Sequence, residues 1–569
     1  MQKQLLIIIF IFIVSLTFSQ KKSKETITQE QKFSFKYYFL EGAKQKNLGN
    51  YNLALGYYGE ALKINEKDPA TNFEIANILI ANQDYFSAIQ YIKNSVKNDK
   101  SNNKFYLSTL LSCQVNTGDI NGVIDTYKNL IKTSDKTIYY YFDLANLYAK
   151  NQDFKNALKT LNEAEKKFGI TEEISITKES IYFNQKNNKA AINEMIKLLK
   201  SNPTNNKYKA LLAETYQNTG DMKSAQEYYS QIENSNSLDG YVCLSVANYY
   251  SATKNFGKFF EFLNKAFLDV SVDVSIKKNI LFGIIDDVEF TQKYSSEIKN
   301  LIDVVIFENT DDLAIKAIYA DFLINLQNYK AAQGIIEELL QNDKNKYQIW
   351  QQLLTIDYSI QDYQKLYEHG KEAVELFPNY LELYKFYVLA AFITQNYNDV
   401  ATAVDYASML AISDIPVLVD LLSMQGEAYY KLEKYSQSDS VFDLALSKDP
   451  ENINILNNYS YYLSTRNEKI DKALSLSTKL ISLSSTNPIY LDTHAWALYK
   501  NQQFEDALNY INKTILFDAT KGIYYNHKGD ILYKLNLKDD AVKMWEKAKY
   551  LNDTSSDIDK KIINKSIIE

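Results

Sequence analysis

Three histidines, His369, His494 and His527, and two cysteines, Cys113 and Cys243, are the side chains of this sequence best suited to act as metal ligands, bases or nucleophiles. A neutral imidazole binds metals and changes charge near neutral pH, and a thiolate is both a nucleophile and a soft ligand. A structural zinc site takes about four such ligands at close spacing. These five residues stand far apart in the chain, and none has a third ligand at metal-like spacing. No metal and no cofactor are expected, His369 reads as an exposed mid-helix residue, and the cysteines read as two separate buried thiols. The chain has no GxxxxGK[ST] phosphate loop, no GxSxG elbow and no HExxH pair, the local patterns that place phosphate donors, a nucleophilic serine or a hydrolytic zinc. Its 70 Asp and Glu are spread along the chain, as on solvated helix faces. No catalytic residue is assigned, and the protein is expected not to be an enzyme.

Net charge is −7, and Arg466 is the only arginine among 63 basic residues. Phosphate and guanine are recognised through the arginine fork, which lysine does not reproduce. Nucleic acid is therefore not an expected partner. With 46% apolar residues, 14% aromatics and only 16 Gly and 6 Pro, long helices joined by short turns suit the composition best.

A single period organises nearly the whole chain. An aromatic is followed three residues on by a small residue, four further by an aromatic or large apolar one, and three further by a second small one, as in Tyr51, Ala54, Tyr58 and Ala61. Taking the first small residue as reference, the motif recurs at 54, 88, 123, 157, 191, 225 and 259, then at 332, 366, 400, 438, 473, 507 and 541, mostly at intervals of 34 or 35. A 34-residue period with helix-turn-helix character marks an array of stacked helix pairs, in which each pair buries an apolar face only against its neighbours.

These residues resemble the tetratricopeptide repeat. Leu144, Ala145, Tyr148, Phe154, Ala157, Leu161 and Ala164 fit its pattern in one repeat, and Gly426, Tyr429, Tyr435, Phe442, Ala445 and Pro450 in another. The resemblance implies an all-α, right-handed α-solenoid (superhelix) of about fifteen helix-turn-helix repeats, covering residues 33–551. Small residues at repeat positions 8, 20 and 27 would let helices A and B approach closely. The interval from 259 to 332 spans about two periods and reads as a degenerate repeat, 269–310, with helices at Val274–Glu289 and Tyr294–Phe307, forming a rigid kink or a hinge. The expected organisation is an N-terminal array, 33–268, this degenerate repeat, a C-terminal array, 311–551, and a capping helix, 552–569, that covers the last apolar face with Ile558, Ile562, Ile563 and Ile567.

The N-terminus reads differently. Lys3 precedes the apolar run Leu5 to Val14, and Ser15, Thr17 and Ser19 follow, which is the order of a secretory signal. The run is too short for a membrane span of about 20 residues. Residues 1–19 are expected to be a signal peptide, cleaved or kept as an anchor, with 20–32 a polar linker and no cysteine for a lipid anchor. The Thr-Phe-Ser-Gln ending resembles exported Bacteroidetes-like proteins. A periplasmic or outer-membrane-associated location is expected, with no transmembrane segment after removal of the signal.

In members of the repeat family, positions 2, 5, 9, 12 and 13 of helix A line the ligand groove. Carried onto this chain, they place Tyr430, Lys431, Trp496, Tyr499, Lys500, Tyr533 and Lys534 there, with Tyr461 or Tyr462 between. Tyr462 is taken as the site residue. The groove has no packing need for Trp496, whereas Trp350 and Trp545 fall at core positions. The lysine that binds a peptide carboxylate at position 5 in chaperone-binding members is replaced by Phe73, Phe142 and Leu244. The resemblance implies a non-catalytic protein–protein interaction scaffold for extended or helical segments of other proteins; a small-molecule substrate is not expected. Carbohydrate binding, or a regulatory subunit of an enzyme or signalling complex, are the alternatives.

Overall fold

The computed structural model describes residues 27–101, 103–133, 137–235 and 239–568; the expected signal peptide and most of the linker lie outside them. Among the described residues there are 32 helices and no strands. The first helix, Gln29–Asn47, begins inside the stretch read as linker, because Thr28 and Gln31 close a capping box around its N-terminus. Two orphan amide donors are satisfied reciprocally there, which a reading for apolar periodicity does not detect.

Within each unit helices alternate as A and B partners, most of them packed on their chain neighbours, and many A helices also touch the next A helix. All fourteen reference residues are buried, from Ala54 at 0% to Phe259 at 7% exposure, and each is the fourth residue of a B helix. The repeat is thus a packing constraint at one fixed place. The A–B turn is equally regular: the residue five before the reference has positive φ in thirteen repeats, as a glycine at Gly49, Gly118 and Gly220 and as a side-chain-bearing residue such as Gln395 or Glu433 elsewhere. The exception precedes Ala473, where Asn467 and Lys469 are both left-handed and Glu468 is an extra turn residue between them. The 38-residue interval from Val400 to Ser438 is absorbed differently, by a 17-residue A helix, Ile415–Lys431. Four added residues make about one helical turn, so its faces stay in register.

Cα proximity divides the chain into two compact units, Met1–Ser271 and Val272–Glu569. Among the described residues the first holds seven helix pairs. The second opens with the degenerate repeat, whose two expected helices are three: Val274–Ile285, Val288–Lys293 and Ser295–Glu308. Asp287 caps the short middle helix through the Phe290 amide. Ile298, fully buried, occupies the reference place, 39 residues after Phe259 and 34 before Ala332. The irregularity is therefore a five-residue insertion between A and B helices. At the C-terminus, helix Ile558–Asn564 covers the last repeat with Ile558 and Ile562, Ile567 beyond the helix end packs on the same cluster, and Ile563 is 77% exposed and belongs to the outer side.

Candidate functional site

Counting the reference residue as position 20, the A-helix face of the second unit is crossed by a ladder of polar contacts. Position 6 of one A helix bonds position 5 or 9 of the A helix before it. Gln352 donates to Asp321 at 2.7 Å, Asn458 to Glu427 at 2.8 Å and Thr493 to Asn457 at 2.8 Å. His527 Nδ1 lies 2.8 Å from Asp492 Oδ1. The final rung comes from the capping helix, where Lys561, 4% exposed, donates to Asn526 at 3.1 Å and Asp530 at 2.8 Å. Thus the capping helix takes the place of a further A helix.

The ladder changes the reading of the aromatic row. Because the extra turn residue is Glu468, Tyr461 occupies position 9 and Tyr462 position 10, which corrects the choice of Tyr462 as the groove tyrosine. Tyr462 instead stacks face-on against Tyr430, ring centroids 3.8 Å apart, and packs on Phe442. Trp496 does have a packing role: it stacks on the His527 imidazole at 4.1 Å and on Tyr499 at 4.8 Å, with the Lys500 ammonium 4.9 Å from its ring. Tyr499 is itself 7% exposed, and burial holds the Lys500 amine below its usual range. Tyr533 packs beside Trp545, while Lys431 and Lys534 reach solvent. The row is therefore mostly an internal stack with lysines at its edge. Trp350 and Trp545, at 2% and 0% exposure, are core residues as expected.

The histidines resolve into structural contacts. His494 is buried, 2.9 Å from Ser477 Oγ and edge-on to Tyr510. Ser477 also donates to the Leu474 carbonyl at 3.1 Å, so its proton is engaged by backbone and the pair is not arranged as nucleophile and base. Burial lowers the His494 pKa to about 4. His369 is not the exposed residue expected; it is 20% exposed and bonds fully buried Asp357 at 2.7 Å, which Gln333 also contacts at 2.6 Å. Cys113 and Cys243 are free and buried. Among the described residues no group of three or more His, Cys, Asp or Glu is placed to hold a metal ion.

Two cavities open on the same A-helix face of the second unit, and neither was anticipated from the sequence. The larger, about 340 Å³, lies between helices Tyr347–Ser359, Leu381–Ile393 and Ile415–Lys431. Tyr358, Phe386, Leu389 and Met424 form its apolar wall, and Glu382, Lys385 and Asp420 its rim. The smaller, about 250 Å³, lies against the inserted helix, between Phe282, Val288, Ile318 and Ile324, with Asp286 and Asp321 at its edge. An acid at position 9 followed 31 residues later by a polar residue at position 6, as in Asp321 with Gln352, would have revealed the ladder in the sequence. The cavities depend on side-chain directions that spacing alone does not specify.

Residues 207–236 match the family model described as tetratricopeptide repeat. In the structure this stretch is most of helix Asn206–Asn218, the left-handed Gly220 turn and helix Met222–Glu233, the arrangement that the other helix pairs reproduce. The chain carries tetratricopeptide repeats. No curated protein matches it in sequence. Among solved structures, the array is similar to the APC/C hetero-tetramer Cut9–Hcn1 (11% identity, 95% of this chain and 99% of that one, TM-score 0.33). It is also similar to yeast Tom70 (17%, 87% and 94%, TM-score 0.28) and to a tetratricopeptide repeat protein from Parabacteroides merdae ATCC 43184 (14%, 44% and 98%, TM-score 0.34). Scaffolds of this type commonly mediate protein–protein interactions. No helix among the described residues is long and apolar enough to cross a membrane.

Proposed function

We propose that this tetratricopeptide array is a non-catalytic scaffold of the cell envelope that holds a segment of a partner protein on the A-helix face of its second unit. The 340 Å³ cavity between three consecutive A helices carries this reading. An apolar wall with a few polar groups at the rim suits one large side chain of an extended or helical segment, fixed in direction by hydrogen bonds at its edges. The helices that frame the cavity are pinned by the repeat packing beneath, so binding orders little of the scaffold itself. Export, to a periplasmic or outer-membrane-associated location, is proposed from the Lys3, Leu5–Val14 and Ser15–Ser19 pattern.

The test is a photo-crosslinking amino acid placed at Leu389 in the cavity and, separately, at Tyr550, 77% exposed on the last B helix. Crosslinking of one discrete protein from cell envelopes at Leu389 and not at Tyr550, lost on Tyr358→Ala, supports the reading. Equal crosslinking from both places, or recovery of glycan alone, rejects it.

A further inference from the structure

Carboxylates in this protein are treated in two ways. Several meet cations: Asp439 has Arg466 at 2.7 Å and Lys469 at 2.6 Å, Asp530 at the end of the ladder has Lys561, and Glu165 has Lys178 and Lys197. Four others along the A helices are hydrogen-bonded by neutral groups. Among the described residues the bonded partner of Asp321 is the neutral amide of Gln352, and Glu427 is hydrogen-bonded by the neutral Asn458 and Tyr462, with Lys431 the cation nearby. In the first unit, Glu214 and Glu179 are likewise held only by hydroxyls, those of Ser245 and Thr215. Burial pushes the carboxyls of Asp321, Glu427, Glu214 and Glu179 above their ordinary range. A carboxylate drawn partly out of water without a cation costs stability, and its pKa rises for that reason.

The 250 Å³ cavity shows what this arrangement fits. Asp286 and Asp321 stand at its edge, no lysine or arginine lines it, and its walls are Phe282, Val288, Ile318 and Ile324. Its volume suits one long side chain, with the aliphatic stem against the isoleucines and the charged head at the two acids. We propose that the partner segment is basic, and that an arginine or lysine of it enters the Asp286–Asp321 cavity while an apolar residue occupies the Tyr358–Met424 cavity. This rests on the proposed docking of a partner on the A-helix face, and it names the chemistry of that partner.

Fluorescence anisotropy with three labelled peptides tests it: a 15-residue Ala/Leu/Phe peptide bearing four arginines, and the same peptide with glutamate or glutamine in their place. The arginine peptide is expected to bind best, and Asp321→Asn or Asp286→Asn/Asp321→Asn to weaken it about tenfold. The control Glu60→Gln/Asp125→Asn, at two exposed acids of the first unit, is expected to leave binding unchanged, and the glutamine peptide is expected not to distinguish the variants. If the control weakens the arginine peptide as much as Asp321→Asn does, the attraction is a general field and the cavity assignment is overturned. If the glutamate peptide binds best and loses binding on Tyr358→Ala, the charge inference fails while the docking face stands. If no peptide binds, or none responds to Tyr358→Ala, both fail.

Discussion

His527 Nδ1 lies 2.8 Å from the carboxylate of Asp492 on the preceding A helix, and the same imidazole is stacked on Trp496 at 4.1 Å. One side chain thus joins the polar ladder to the aromatic row, and the row is part of the stacking of consecutive repeats before it meets any ligand. Trp496→Ala should therefore destabilise the second unit by about 3 kcal/mol whether or not a partner is present, read as a fall in denaturation midpoint of the isolated protein. An unchanged midpoint would return Trp496 to the role of a free ligand platform.

The capping helix depends on a buried ion pair. Lys561→Ala would leave Asp530 buried, 4% exposed, beside Trp545 and without its cation. Removing one partner of such a pair typically costs about 3–5 kcal/mol. Hydrogen exchange should show loss of protection in helices Gly522–Lys534 and Lys538–Tyr550, with the first unit unaffected.

Gly426 sets the approach of its A helix to Phe442. A Cβ at this position would stand 2.8 Å from the Phe442 ring, which is fully buried and also stacked on Tyr459. Gly426→Ala should cost about 2 kcal/mol through overpacking, seen as a lowered melting temperature; equal stability would mean that the ring can yield.

The left-handed A–B turns predict the opposite sign elsewhere. Gln395 has φ +61° and Gly220 has φ +86°. Gln395→Gly should stabilise by up to about 1 kcal/mol and Gly220→Ala destabilise by about the same. Urea midpoints of the two variants, moving in opposite directions, check this.

His494 makes stability depend on pH in a stated direction. Its pKa is about 4 in the folded chain against 6.5 when unperturbed, so between these values the unfolded chain binds the extra proton. The neutral buried ring contributes fully above pH 6.5, and that contribution is lost as pH falls toward about 4, to a total of at most about 3 kcal/mol. His494→Gln should remove this slope from a series of denaturation midpoints between pH 7 and 4.

The helix-pair architecture was legible in the residues because it depends on local conditions. A buried and mostly small residue at the fourth place of each B helix, an aromatic three before it in nine of the fourteen repeats and a polar turn between helices are stated within about 34 residues and recur along the chain, so the pattern specifies both the helices and their close approach. Cys113, Cys243, Trp350 and Trp545 were placed correctly by the same register. Contacts between repeats were not legible in that way. Asp321 meets Gln352, and Asp492 meets His527, only once consecutive A helices lie side by side, and these pairs bring together residues 31 and 35 apart. Whether Trp496 is free or stacked, whether His369 is exposed or bonded to Asp357, and which acids face a cavity without a cation are all decided by that lateral packing. A period in the sequence states which face a residue occupies; the neighbour it meets there is set by the distance and rotation between repeats, which exist only in the folded stack.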